Sequence, residues 1–323
     1  MNPIFARHRH RRPRPGPCLA LLALLLLCWP AGAPAAESGR MLFEADSLYH
    51  HIMVIEAASG LRYLSFNRAM GHQSAVMPGR PEVLTFAYTQ SAFAALAFLE
   101  REPQEVLFVG LGGGSMPMYL RLLFPQARMD IAEIDPEVVR VAEKYLSFKA
   151  DEGMKVAVND GRLFMKRNPQ RYDLIFLDAY NDHAVPFHLT TREFLELTRS
   201  RLKPGGVVAS NVWSQGLNRY FTAQIKTYQE VFPQLYLLQA GGGANYIFIA
   251  TQDARQVSAE QAEARARALA KGRAWSFDLA ARVKSEYACF TGRRVEDKVL
   301  TDDFAPVNLL RNLEASAPGE GRP

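Results

Sequence analysis

VLFVGLGGGSMP, residues 106–117, decides how the rest of this chain is read. An apolar run ends in Gly110, then Gly112, Gly113 and Gly114 follow, ahead of the apolar, amphipathic MPMYLRLLF. A buried strand that turns on glycines into a helix is the first half of a βαβ unit. Glycine takes positive φ without penalty and lets the backbone approach a ligand. No acid, base or metal ligand lies inside the turn, so any chemistry must come from neighbouring strands.

Outward from the turn the same pattern recurs. MDIAEID (129–135), KVAVND (155–160), YDLIFLDAY (172–180) and VVASNVW (207–213) read as further strands, each followed or preceded by helical spacing. Pro136 suits the first turn of the helix after Asp135. TTREFLELTRSRL stops at KPGG, and LYLLQAGGGANYIFIAT reads as a closing hairpin. Strands alternating with helices predict a doubly wound, mostly parallel α/β sheet, whose ligands bind outside the carboxyl ends of the strands. Upstream, SLYHHIMVIEAASGLRYLSFN predicts two strands around a turn at Ala58–Gly60, residues 68–81 are turn-rich, and Val83–Glu100 has helical spacing. The divisions are a leader at 1–36, a small β-domain at 41–82, a Rossmann-like domain at 83–252, and a C-terminal helical extension and tail at 253–323.

The predicted strand ends carry a series of polar residues. Gly110, Gly112 and Gly114 form the turn after the first strand, and Glu133 ends the second, 23 residues after Gly110. An acid at that point can accept both hydroxyls of a ribose. Asp160 and Gly161 end the third strand, where a carboxylate can accept from an adenine amino group. Asp178 ends the fourth, beside the place of a reacting carbon. One acid after a strand is commonly only a helix cap; the full series in register predicts a nucleoside site. A dinucleotide site fits less well, because Ser115 stands where the third glycine of G-x-G-x-x-G would be.

FAYTQ, VLFVGLGGGS, AEIDPEVVRVAEKYL, VNDGRLFM, YDLIFLDAY and LKPGGVVASN together resemble the spermidine synthase (polyamine aminopropyltransferase) family over roughly residues 44–252. The resemblance implies an S-adenosylmethionine-methyltransferase-like Rossmann domain preceded by a small N-terminal β-domain. It implies transfer of an aminopropyl group from decarboxylated S-adenosylmethionine to a polyamine such as putrescine, by a homo-oligomer such as a dimer. Matched residue by residue, Glu133 is the ribose acid, Asp160 the adenine contact, Asp178 the base that helps deprotonate the attacking amine, and Tyr88 the tyrosine lining the amine pocket. Gln73 matches the N-domain glutamine only with an insertion around MPGRP. Tyr246, after GGGAN, is a candidate for the acceptor pocket wall.

The departures from the family pattern concern the amine. Gly113 stands where the family's G-G-G-D-G turn keeps an Asp for the donor's ammonium. Asn181 stands at the register of a second acid, with Asp182 one residue late as a substrate candidate, and the family's Tyr-Gln is Tyr49-His50. A displacement by an amine needs that amine neutral, although its pKa in water is near that of lysine, about 10. A carboxylate must take the proton, and further carboxylates must hold remote ammonium groups against the cost of desolvation. A donor that keeps its carboxylate would be repelled by an Asp at 113, so S-adenosylmethionine-dependent methyl transfer is the runner-up, and a non-catalytic nucleoside- or polyamine-binding protein the third reading. His50, His51 and His72 are expected on the surface or in a hairpin, and His183 and His188 flank the loop after Asp178. No carboxylate cluster at metal spacing accompanies the histidines, so no metal is expected.

The chain of 323 residues carries a formal charge of +5, but Arg7, Arg9, Arg11, Arg12 and Arg14 lie in the acid-free first 36 residues, and beyond them 33 basic residues face 33 acidic ones. Charge therefore makes no case for a nucleic-acid partner. The basic stretch, CLALLALLLLCW and then PAGAPAA have the layout of an export leader, with cleavage options near Ala33, Ala35 or Ala36. The expectation is export to the periplasm or anchoring, or a cytoplasmic chain if Met41 is the start. Two of the three cysteines, Cys18 and Cys28, fall in this leader, and only Cys289 lies beyond it, which leaves a processed chain no disulfide framework.

Overall fold

The computed structural model describes residues 39–67, 71–180, 185–293 and 295–304. The predicted leader therefore lies outside the described residues, as do Asn181, Asp182 and His183. The strands are β1 (Arg40–Asp46), β2 (His51–Glu56), β3 (Arg62–Ser65), β4 (Ser74–Val76), β5 (Glu105–Val109), β6 (Arg128–Glu133), β7 (Met154–Val158), β8 (Tyr172–Leu177), β9 (Leu202–Trp213), β10 (Gln234–Gln239), β11 (Asn245–Thr251) and β12 (Tyr287–Cys289). The α-helices are α1 (Ala87–Ala92), α2 (Ser115–Leu123), α3 (Pro136–Tyr145), α4 (Gly161–Arg167), α5 (Arg192–Ser200), α6 (Phe221–Val231), α7 (Ala259–Ala270) and α8 (Leu279–Glu286).

The eight-stranded sheet has the order β12-β10-β11-β9-β8-β5-β6-β7. β7, β6, β5, β8 and β9 are parallel, and β11, β10 and β12 extend them antiparallel. Successive connections leave β5 to one side through β6 and β7, then return to place β8 on its other side. The order reverses between β5 and β8, and a crevice opens there at the carboxyl ends. β5 and β8 are buried on both faces, which is why VLFV and LIFL are continuous apolar runs rather than alternating ones. Short polar side chains cap several of the helices. Asp135 accepts from the Glu137 amide at α3 (2.9 Å), and Asp160 from the Leu163 amide at α4 (2.9 Å).

A separate antiparallel sheet, β1-β2-β3-β4, precedes the large one. Its Ile52, Val54, Leu64, Phe66 and Val76 pack on Val138, Val141 and Leu146 around α3. Full burial of such side chains is worth about 1.5–3 kcal/mol each, so α3 is a wall shared by the two sheets. Three local expectations change. β4 falls inside the stretch expected to be only turns. Val83–Glu100 is not one helix: α1 gives way to a 3-10 helix at Phe93–Phe98, where every residue is buried. That segment is enclosed on all sides, so the sequence has no polar face to mark its period. The extension beyond residue 252 is not purely helical, since β12 adds an edge strand to the main sheet.

Candidate active site

A cavity of about 740 Å³ lies over the carboxyl ends of the parallel strands. Gly110, Gly112, Glu133, Asp160, Gly161, Asp178, Tyr88 and Gln73 all line it. Loops of the small sheet supply Leu48, Tyr49, His50 and His72, and β4 supplies Ser74, along the same wall. Gly110 sits at φ +99°, and a Cβ there would overlap the carbonyl of Asp178. Only glycine lets the ends of β5 and β8 come this close.

Glu133 is 7% exposed. Its two carboxylate oxygens accept from the backbone amides of Leu111 (2.9 Å) and Asp135 (3.0 Å). Burial pushes its pKa above the usual carboxylate range, against the pull of those two amides. Each oxygen keeps a lone pair for a hydroxyl donor in the cavity. Asp160 gives Oδ1 to the α4 cap and Oδ2 to His188 Nε2 at 2.7 Å. Burial raises its pKa, but the His188 and Leu163 hydrogen bonds outweigh it and the net shift is downward.

Asp178 is half-buried at the cavity wall. Burial raises its pKa, and hydrogen bonds from Asn211 and Tyr88 oppose the rise. Asn211 Nδ2 donates to Asp178 Oδ1 at 2.9 Å. The Tyr88 hydroxyl has one proton, which faces both Asp178 and the Gln73 carbonyl oxygen at 3.3 Å. Burial next to the Asp178 charge lifts the Tyr88 phenol well above its ordinary pKa, so it stays neutral and donates. Tyr180 stacks on Trp213 (5.0 Å between centroids) and donates to the Asn211 carbonyl at 2.9 Å. The wall around Asp178 thus consists of one half-buried carboxylate, two amides and several aromatic rings. Such a wall suits an amine, whose charged form is attracted to ring faces and whose proton has an acceptor.

Two sequence expectations need correction. Tyr246 does not line the cavity; it packs on Phe221 (5.0 Å) against the apolar cluster on the far side of β11. Side chains alternate along a strand, and Asn245 takes the cavity face. Gly114 does not line it either; it is the N-cap of α2, where a Cβ would run into the Phe148 ring. His50 lies in the β1–β2 hairpin turn, as expected, but is buried there. It is 8% exposed, stacks on Phe66 at 3.9 Å, and its Nδ1 lies 3.1 Å from Asp135 Oδ2, which Ser47 Oγ also approaches at 2.5 Å. The return of the small sheet onto α3, a contact across 85 residues, creates that environment.

The residues that sequence reasoning missed are Asn211, Asn245, Tyr180 and Trp213. A signal existed in VVASNVW, where Asn211 interrupts a buried run at the carboxyl end of a strand. A polar side chain in such a place needs a partner. Gly113 itself does not line the cavity. A Cβ there would lie 2.7 Å from Ser74 Oγ and 2.9 Å from Val76 Cγ2 of β4. β4 fills the space an aspartate side chain would need. Among the described residues, no His, Cys, Asp and Glu side chains group in a way that would hold a metal ion, and no helix is long and apolar enough to cross a membrane.

Comparison with known proteins places this architecture. The family model for the spermine/spermidine synthase domain matches residues 85–241. A polyamine aminopropyltransferase of Vibrio vulnificus is 32% identical over 304 residues, covering 90% of this chain and 98% of that protein. Putrescine N-methyltransferase 2 of Nicotiana attenuata is 29% identical over 203 residues, 61% of this chain and 52% of that one. Among solved structures, a probable spermidine synthase from Corynebacterium glutamicum superposes with a TM-score of 0.62 at 20% identity, covering 81% of this chain and 98% of that one. With the fold, the strand-end acids and a relative matched along nearly its whole length, the chain is a transferase belonging to the spermine/spermidine synthase family.

Proposed function

We propose that this protein is an aminopropyltransferase, moving the aminopropyl group of decarboxylated S-adenosylmethionine to a polyamine such as putrescine. The observation that carries the reading is Asp178, half-buried at the β5/β8 reversal within one cavity that also holds Glu133 and Asp160. Glu133 and Asp160 bind the ribose and adenine of the donor. The acceptor amine lies against Asp178 and Tyr88. Its nitrogen lone pair forms a bond to the methylene carbon next to the sulfonium, and the carbon–sulfur bond breaks with its electron pair going to sulfur. The products are the lengthened polyamine and methylthioadenosine. The amine reacts neutral, and Asp178 takes its proton. A raised pKa brings that carboxylate closer to the working pH, where general-base catalysis contributes about 10²–10⁴-fold.

Gly113 favours a second reading, methyl transfer from S-adenosylmethionine to an amine. The turn has no acid for the donor's ammonium and, with Ser74 and Val76 against it, no space for one. A donor that keeps its carboxylate has less need of an acid there, and a putrescine N-methyltransferase is among the relatives. Calorimetry with both donors and methylthioadenosine separates the two. Tighter binding of the decarboxylated donor, with turnover abolished in Asp178→Asn, supports aminopropyl transfer; tighter binding of S-adenosylmethionine overturns it. We also read residues 1–36 as an export or anchoring leader and the assembly as a homodimer, which light scattering of the purified chain tests.

A further inference from the structure

We propose that Asn211 and Asn245 form an amide clamp that positions Asp178 for proton transfer, with Asn245 fixing which end of the Asn211 amide meets the carboxylate. The inference rests on the reading of Asp178 as the base. Asn211 stands near the carboxyl end of β9 and Asn245 opens β11. Their antiparallel register pairs Asn245 with Trp213 and Ile247 with Asn211. Asn211 and Asn245 are thus diagonal neighbours on one face, within reach of polar side chains.

A primary amide has one acceptor oxygen and two N–H donors. Asn245 Nδ2 donates to Asn211 Oδ1 at 2.8 Å, and Asn211 Nδ2 donates to Asp178 Oδ1 at 2.9 Å. Turning the Asn211 amide over would set its carbonyl oxygen against the carboxylate and leave two NH₂ groups facing each other. Asn245 therefore selects the orientation that stabilises ionised Asp178. The Asn211 backbone is held as well, since its carbonyl accepts from the Tyr180 hydroxyl. The other donor near Asp178, Tyr88, has a single proton that it divides with the Gln73 carbonyl. Asn211 is the donor that cannot be diverted. Asn211 takes one lone pair of Oδ1, and the lone pairs left on the carboxylate are free to receive the proton of the amine. Both asparagines act through Asp178 and are positioning residues. Asn245 lies beyond the segment matched by the family model, which ends at residue 241.

The ionisable groups facing Asp178 are Tyr88 from α1 and Tyr180 from its own loop, and burial keeps both phenols neutral. Infrared difference spectra against Asp178→Asn therefore follow the Asp178 carboxyl alone as pH is changed. In Asn245→Ala and Asn211→Leu its apparent pKa should rise by about one unit, a tenfold gain in proton affinity. The acid limb of kcat/KM for putrescine should move by the same amount, while methylthioadenosine affinity stays within about twofold, which also reports folding. An Asp178 titration unchanged in Asn245→Ala overturns the clamp, whether or not Asn211→Leu folds. Retained turnover in Asp178→Asn would instead overturn the base assignment, and the infrared titration would still decide whether the clamp exists.

Discussion

Replacing Gly113 by aspartate separates the role of space from the role of charge in the donor site. Gly113 is not among the glycines with positive φ, so its backbone accepts any residue and the cost of the change is packing alone. The new Cβ would meet Ser74 Oγ at 2.7 Å, Ser74 Cβ at 3.2 Å and Val76 Cγ2 at 2.9 Å. Ser74 and Val76 are 6% and 3% exposed, and Val76 is held in the cluster on α3, so room for a Cβ must come from shifting packed atoms. Overpacking of this kind costs about 1–3 kcal/mol. At about 2–4 °C per kcal/mol for a large domain, Tm should fall by about 2–12 °C. Adding Ser74→Ala and Val76→Ala removes the two closest atoms and makes room for the carboxylate. The ammonium of decarboxylated S-adenosylmethionine should then gain a charge-assisted contact worth about 1.5–3 kcal/mol, about 10–150-fold in affinity. S-adenosylmethionine should gain less or lose. Scanning calorimetry of the single variant and titration calorimetry of the triple variant read the two effects. A single variant that melts with the parent protein would refute the packing argument. A triple variant with unchanged donor preference would refute the placement of the donor's amino end.

Asp178→Asn should stabilise the unliganded protein while abolishing turnover. The folded-state pKa of Asp178 is raised, so its contribution favours folding below the unfolded value near 3.9 and is lost as pH rises through the folded value. The gain in Tm should therefore be present at pH 7 and shrink towards pH 4, and a gain that is the same at both would contradict the burial argument. Glu133→Gln places an NH₂ group against one of the amides of Leu111 and Asp135. Methylthioadenosine affinity should drop by about 1–3 kcal/mol, and unchanged affinity in calorimetry would detach Glu133 from the ribose. Asp302, bound by Arg162 and by Thr191 Oγ1 (2.8 Å), has its pKa pulled down to about 2, chiefly by the guanidinium. Its stabilisation is present above about pH 4 and lost as pH falls towards 2; being half-exposed, it is worth about 1 kcal/mol or less. Urea unfolding of Asp302→Asn against the parent across that range should show the difference closing. N-terminal sequencing of mature protein tests the leader, where a chain beginning at Met41 would end the export reading.

The fold and the nucleoside half of the candidate site were legible because their signals are local. Glu133 closes its strand, Asp160 and Asp178 follow theirs by two residues and by one, and parallel βαβ winding brings such positions to one edge without knowledge of any distant contact. The amine half was less legible. Asn211 and Asn245 matter through each other, and their meeting depends on the register of β9 against β11. Tyr246 was assigned to the wrong face of its strand because one residue of register reverses every side chain. The hairpin place of His50 is legible, but its burial is not, since nothing near it in sequence announces Asp135.

By itself the sequence determined the βαβ order, the glycine turn of VLFVGLGGGSMP and the acids at the strand ends. Periodicity and turn chemistry act over a few residues, and both can be read along a line. Tertiary structure alone decided why Gly113 is glycine. β4, nearly forty residues upstream, lays Ser74 and Val76 against the turn, and that packing excludes an aspartate whatever donor the site takes.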